Sequence, residues 1–198
     1  MLPRRLTTIV ALVLVALTGL WTHYVCAQIP GPNADEYAVY TALLREKGYD
    51  KEATKLVLED AARWNDLTQP DQEQVEKMIG PSLLKETVAD FAIKNERSAA
   101  LTNRFQLKAA VVLISRDEVR GIFGDSDLDE AWKVFHARYP KAGSIVNLSR
   151  VGFNTKKTQA LIYYAYFCGG LCGQGQYILL TKKDDKWVIE KEVMAWIS

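Results

Sequence analysis

The last third of the chain has the fewest ways to fold. From residue 144 onward, four apolar, β-branched or aromatic runs (145–153, 159–167, 176–182 and 186–197) follow one another, separated by short polar or glycine-rich links at 154–158, 168–175 and 184–185. A parallel return requires a dozen or more residues, so consecutive strands joined this tightly run antiparallel. The spacing predicts a four-stranded antiparallel meander.

Upstream the texture is mainly helical. Over 35–47, Tyr37, Tyr40, Leu43 and Leu44 share one stripe, and Gly48 is placed to end the helix. Helical spacing returns over 71–79 and again after Gly80, with Pro81 in the first turn and Leu84, Val88 and Phe91 on one face. Ser115-Arg116-Asp117-Glu118 has the spacing of a capping box and opens a brief helix that ends by Gly124. The 127–139 segment carries Leu128, Ala131, Trp132, Phe135 and Tyr139 at three- and four-residue intervals, and Pro140 stops it. Strand-like runs at 55–59 and 109–114 lie among these helices. The predicted class is α+β: N-terminal helices packed on a C-terminal four-stranded antiparallel meander.

Residues 1–27 read as a secretory signal peptide: Arg4 and Arg5, an apolar run over 6–21, then Val25-Cys26-Ala27 before the cut. The alternative is an uncleaved anchor, because roughly 20 apolar residues can span a bilayer; Thr18, Gly19, Thr22 and His23 dilute the far end and favour cleavage. Both readings place the remainder outside the cytoplasm, secreted or periplasmic, with membrane contact only through an uncleaved signal. Lipid attachment at Cys26 calls for small residues before it, and His23-Tyr24-Val25 are the wrong ones. Removing 27 of 198 residues leaves 171, enough for one domain at 35–198 behind a flexible tether at 28–34 that carries two prolines and a glycine.

Composition excludes some partners. With 25 basic against 24 acidic residues and no run of five like charges, the chain offers no broad cationic field for nucleic acid.

The C-terminal region carries a resemblance. Ser149-Arg150-Val151-Gly152-Phe153-Asn154, Gln159-Ala160-Leu161, the Cys168-Gly169-Gly170-Leu171-Cys172-Gly173 turn, and the closing Trp187 and Trp196-Ile197-Ser198 resemble a group of uncharacterised secreted bacterial proteins. The likeness covers about the last 60 residues well and the tyrosine-rich first helix loosely, and implies bacterial, extracytoplasmic placement; the group brings no activity to carry over. A helix followed by a curved meander also resembles, at fold level only, the nuclear-transport-factor-2-like and cystatin-like cone folds, which host binders, enzymes and inhibitors alike.

The cysteines supply the sharpest chemistry. Cys168 and Cys172 flank three residues at a hairpin tip, where strand ends lie near the ~5.5 Å Cα separation that a disulfide prefers, and an oxidising compartment would close it. The spacing argues against a redox motif of the thioredoxin type, which has two intervening residues. Zinc is excluded by ligand supply, since His136 is the only histidine left after processing. Gly170, Gly173 and Gly175 precede a strand and not a helix, so they read as turn glycines and not as a phosphate loop.

Candidate ligand contacts follow from residue type and position. His136 sits at the edge of an aromatic stripe, as a packed or rim histidine or as a base beside a ligand. Strict alternation over 145–154 sends Val146, Leu148, Arg150, Gly152 and Asn154 to one side; Arg150 there is either paired to an internal acid or free to grip an anion. Tyr163, Tyr164, Tyr166, Phe167 and Tyr177 put aromatics on both faces of the middle strands, with helices expected over one face and the other open to a sugar, peptide or protein. The Asn147-Leu148-Ser149 acceptor triplet is read as chance in a bacterial strand.

Arg150, Asn154, Tyr164, Tyr166 and His136 are therefore the candidate binding residues, with no catalytic set, metal or cofactor expected. The functional expectation is a non-enzymatic extracytoplasmic binding or interaction module for a small molecule or protein. The alternative is a hydrolase of envelope or extracellular material using carboxylates such as Glu59, Asp60 and Asp90.

Overall fold

In the computed structural model of this protein, residues 30–64, 72–124 and 127–198 are described; residues 1–27, expected to be a signal peptide, and the first two residues of the expected tether lie outside them. Chain order is α1 (Ala34–Glu46), β1 (Lys55–Glu59), β2 (Ala61–Ala62), α2 (Gln72–Ile79), α3 (Lys85–Lys94), β3 (Ala99–Ala100), β4 (Ala110–Ile114), α4 (Arg116–Phe123), α5 (Leu128–Arg138), β5 (Ile145–Leu148), β6 (Gly152–Phe153), β7 (Gln159–Gly169), β8 (Cys172–Lys183) and β9 (Lys186–Ile197). The α+β class holds, but the sheet is not a four-stranded meander. Seven strands form one mixed sheet in the order β4-β1-β5-β7-β8-β9, with β6 beside β7, while β2 and β3 make a separate small pair.

The difference has a topological cause. β1 pairs parallel to both β4 and β5, so the two short upstream runs become the end of the sheet that the meander extends. Parallel pairing needs a long crossover, and the segments holding α2, α3, α4 and α5 supply it. Local spacing reveals hairpin partners; it does not reveal which distant strand docks on the free edge of the first hairpin strand.

Both sheet faces are covered, and not one only. Val146, Leu148, Ile162, Tyr164, Ile178 and Leu180 meet Tyr40, Leu43 and Leu44 of α1 on one face. On the other, Tyr163, Ala165 and Tyr177 meet α2 and α3, while Val57 and Ile145 meet α4 and α5.

The expected continuous strand at 145–153 is interrupted. Leu148 opposes Tyr164, yet Gly152 opposes Leu161, so the 149–151 stretch holds one residue more than its partner. This bulge reverses the alternation: Val151 and Phe153 join Val146 and Leu148 in the same core. It is stitched on all sides. Ser149 Oγ accepts from Tyr163 N at 2.9 Å and donates to Arg150 O at 2.9 Å, and Tyr40 Oη donates to Ser149 O at 2.9 Å. Asn95 from the end of α3 accepts from Arg150 N at 2.8 Å and donates to Arg150 O at 3.0 Å. Gly152 lets α3 approach, because a Cβ there would stand 2.4 Å from Phe91 N.

Helix ends also depart from expectation in informative ways. Asn33 and Glu36 form a complete capping box on α1. At α4, Ser115 accepts from Glu118 N at 3.1 Å, but the Glu118 carboxylate takes the Tyr139 hydroxyl at 2.6 Å instead of closing the box. α3 begins later than expected, with Pro81 in the turn before it. Its start is capped from β7, where Gln159 Oε1 accepts from Leu84 N at 2.9 Å and Thr87 Oγ1 at 3.0 Å. The β8–β9 turn at Asp184 and Asp185 has both residues at positive φ (48° and 60°), the geometry of a two-residue hairpin loop.

Glu36 is fully buried and pairs with Arg150 through two hydrogen bonds, Nε–Oε1 at 2.7 Å and Nη2–Oε2 at 2.9 Å. Replacing Glu36 with Gln leaves a buried guanidinium unpaired and should cost roughly 3–5 kcal/mol. Urea unfolding of the variant against the parent protein measures it.

Candidate functional site

β1 lies in the parallel part of the sheet, and Glu59 is its last residue, opposite Ile114 at the end of β4. In sheets of this kind, ligands bind beyond the carboxyl ends of parallel strands, where the connections diverge. Strand alternation puts Glu59 on the same face as Val57, beneath α4 and α5.

A cavity of about 460 Å³ opens there. Val119 and Phe123 of α4 and Leu128 and Trp132 of α5 form its helical wall, while Ile145 of β5 and Phe167 of β7 form its sheet wall. Gly169 and Gly170 close the rim from the β7–β8 hairpin. The aromatics are mutually held, with Phe123 and Trp132 ring centroids 5.0 Å apart and edge-on. Glu59 is the only ionisable side chain of the lining among the described residues.

Glu59 is 16% exposed and sits 3.2 Å from Arg63 Nε through its Oε2 atom. The approach is an ion pair without an aligned hydrogen bond, since Arg63 Nε has no hydrogen-bond partner. Burial raises the Glu59 carboxyl above its ordinary value, against the opposing pull of Arg63, an Asn147 hydrogen bond and Arg116, with Asp60 adding to the rise. Register places Asn147 beside Glu59, and its Oδ1 is buried with no hydrogen-bond partner.

The disulfide stands at the rim. Cys168 and Cys172 are bonded, with Cα atoms 5.1 Å apart. The strands run further toward the tip than expected, ending at Gly169 and Cys172, so the turn itself is Gly170-Leu171. Leu171 is 91% exposed. A Cβ on Gly170 would come within 3.9 Å of Leu128 Cδ1, so the tip reaches the start of α5.

The candidates from sequence are not gathered in one place. Arg150 is committed to Glu36, and its Nη1 donates to Pro30 O at 3.2 Å; the Glu36 hydrogen bonds hold its guanidinium still more firmly protonated. Asn154 organises the β6–β7 turn, its Oδ1 accepting from Thr158 N and Gln159 N, each at 2.8 Å. Tyr164 and Tyr166 face α1, on the side of the sheet away from the cavity. Tyr164 Oη lies 3.3 Å from Tyr49 Oη, and Tyr166 Oη donates to Gln174 Oε1 at 3.2 Å. Burial drives the Tyr164 phenol far above its ordinary value, so it acts as a neutral hydrogen-bonding group. His136 stands on α5 with its ring 5.7 Å from Trp132, and its Nδ1 lies 3.1 Å from Ala142 O. Through Trp132 it is the candidate nearest the cavity.

Of the carboxylates considered for hydrolysis, Glu59 alone lines the cavity. Asp90 accepts from Phe153 N at 2.7 Å and pairs with Lys94 at 2.7 Å. Asp60 occupies the step between β1 and β2, its backbone bonded to Ile114 O and Leu101 N. Trp132, Phe123 and Phe167 were not singled out as a binding set; the available signal was an acidic residue ending an apolar strand run.

A second depression of about 450 Å³ lies beside α1, among Tyr37, Arg104 and Trp187. Several of its polar groups already have partners. Tyr37 Oη donates to Thr102 O at 2.8 Å, Arg104 lies 5.0 Å over the Tyr37 ring, and Arg45 donates to Gln106 O at 2.6 Å. The Glu59 cavity is the stronger candidate because its polar groups are incompletely matched.

Among the described residues, no three His, Cys, Asp or Glu side chains converge as metal ligands, and no helix is long and apolar enough to cross a membrane. Comparison with family models, curated proteins and solved structures finds no match.

Two outcomes follow from this geometry. Because Glu59 holds its proton more tightly when folded, its contribution to stability is full below the ordinary value of 4.5 and is lost as pH rises through the raised folded value. Glu59→Gln should flatten that decline, seen in urea unfolding repeated from about pH 4 to about pH 7. Cys168→Ser opens only a short loop and should cost less than the ~3 kcal/mol of a 15-residue loop, measured the same way.

Proposed function

We propose that this protein is an extracytoplasmic binding module whose cavity at the end of β1 takes a small ligand. The observation that carries this reading is the lining itself: apolar and aromatic walls in which Glu59, at the end of a central strand, is the only ionisable side chain among the described residues. A volume of about 460 Å³ falls within the 300–1,000 Å³ typical of small-molecule sites. The Cys168–Cys172 disulfide suggests an oxidising compartment outside the cytoplasm. The signal-like residues 1–27 and the resemblance to secreted bacterial proteins support export.

A second reading, hydrolysis, draws support from the raised Glu59 carboxyl. It requires a second polar group to activate water or carry the leaving group, and among the described residues no second acidic side chain stands in the lining beside Glu59. Binding asks less of the same residues.

Native mass spectrometry of the protein recovered from its producing cells, without reductant, tests the reading. The expected species lacks residues 1–27, is lighter by the roughly 2 Da of two thiol hydrogens, and carries a small-molecule adduct. A full-length reduced species would overturn export.

A further inference from the structure

The chemistry of the cavity narrows the class of ligand. We propose that it takes a cationic amphiphile, with an alkylammonium head seated between Glu59 and the Trp132 and Phe123 rings and an apolar chain leaving over Phe167 and Leu128. The inference rests on reading this cavity as the binding site and goes further by naming the ligand's charge and shape.

Three observations carry it. First, an incoming head group meets one ionisable side chain among the described residues of the lining, and that group is acidic. Arg63 engages Glu59 Oε2 at 3.2 Å but without an aligned hydrogen bond, so the carboxylate keeps the capacity to accept from a ligand. Arg116 and Asp60 also act on Glu59, with opposite signs, and none of these three neighbours is part of the lining. Second, aromatic rings stand in the same lining as this acid. The faces of tryptophan and phenylalanine rings attract ammonium groups, and the attraction strengthens where water is excluded. Third, the outer wall is apolar and partly open, with Leu128 50% and Phe167 36% exposed. A hydrocarbon chain leaving the cavity would cover these two residues.

Other head groups fit the lining less well. A carboxylate would face Glu59 with no cationic side chain among the described residues of the lining to receive it. A neutral head would bring no charge to meet the acceptor capacity that Glu59 keeps beside Arg63.

Isothermal titration with three eight-carbon probes decides between them: octylammonium, 1-octanol and octanoate, each below its aggregation concentration. In the parent protein octylammonium should bind at least about tenfold more tightly than either other probe. Glu59→Gln should erase that preference by weakening octylammonium about tenfold. Leu128→Lys, a change at a half-exposed position, should weaken octylammonium several-fold more than 1-octanol; it provides the same test if the Glu59 variant fails to fold. Octanol or octanoate binding as tightly as octylammonium, or a preference that survives Glu59→Gln, would overturn the cationic assignment while leaving the binding-module reading intact. Failure of all three probes to bind the folded parent protein would overturn both.

Discussion

The buried pair of Glu36 and Arg150 joins the first helix to the middle of the sheet across 114 residues of sequence. The Glu36 carboxylate accepts from Arg150 Nε and Nη2, from Val151 N at 3.2 Å, and from Asn33 N at 2.9 Å. One side chain thus caps its own helix, neutralises the guanidinium and satisfies a bulge amide. Removal from water is costly for either ion alone, and it is tolerated here because the lone pairs and donors are matched. The consequence is positional: α1 can sit in one place over the sheet, and the bulge between β5 and β6 can have one shape. Asn95 brings α3 to the same three residues from the other face.

The contrast with Glu59 gives the cavity its meaning. Both are acids near an arginine beneath helices. Glu36 is held by several aligned hydrogen bonds, while Glu59 meets Arg63 obliquely and lies against aromatic walls. Matched polar groups build structure; incompletely matched ones, beside open space, are where a ligand supplies what is missing. The cavity exists because β1 ends where β4 gives way to α4, and because the disulfide-closed hairpin reaches back toward α5.

Several features were legible from residue patterns because their causes are local. The strands of the meander, the helix at 127–139 and the closure of Cys168 with Cys172 depend on neighbours within a few residues. The bulge at 149–151 was not legible, since an extra residue shows only against the partner strand. The positions of Val151 and Phe153 therefore reversed. Tyr164 and Tyr166, read as candidates for an open face, lie under α1 because that helix folds back over the sheet from more than a hundred residues away in sequence.

By itself, the sequence determined the class α+β, the order of helices and strands, the antiparallel hairpins and the proximity of the two cysteines, all set by periodicity, turn chemistry and short loops. Tertiary structure alone decided that β1 lies parallel between β4 and β5, that Glu36 answers Arg150, and that Glu59, Trp132 and Phe167 border one cavity. Those outcomes depend on long-range pairing and on which charges share a desolvated site. No local pattern encodes them, because the free energy that selects them arises only when distant segments meet.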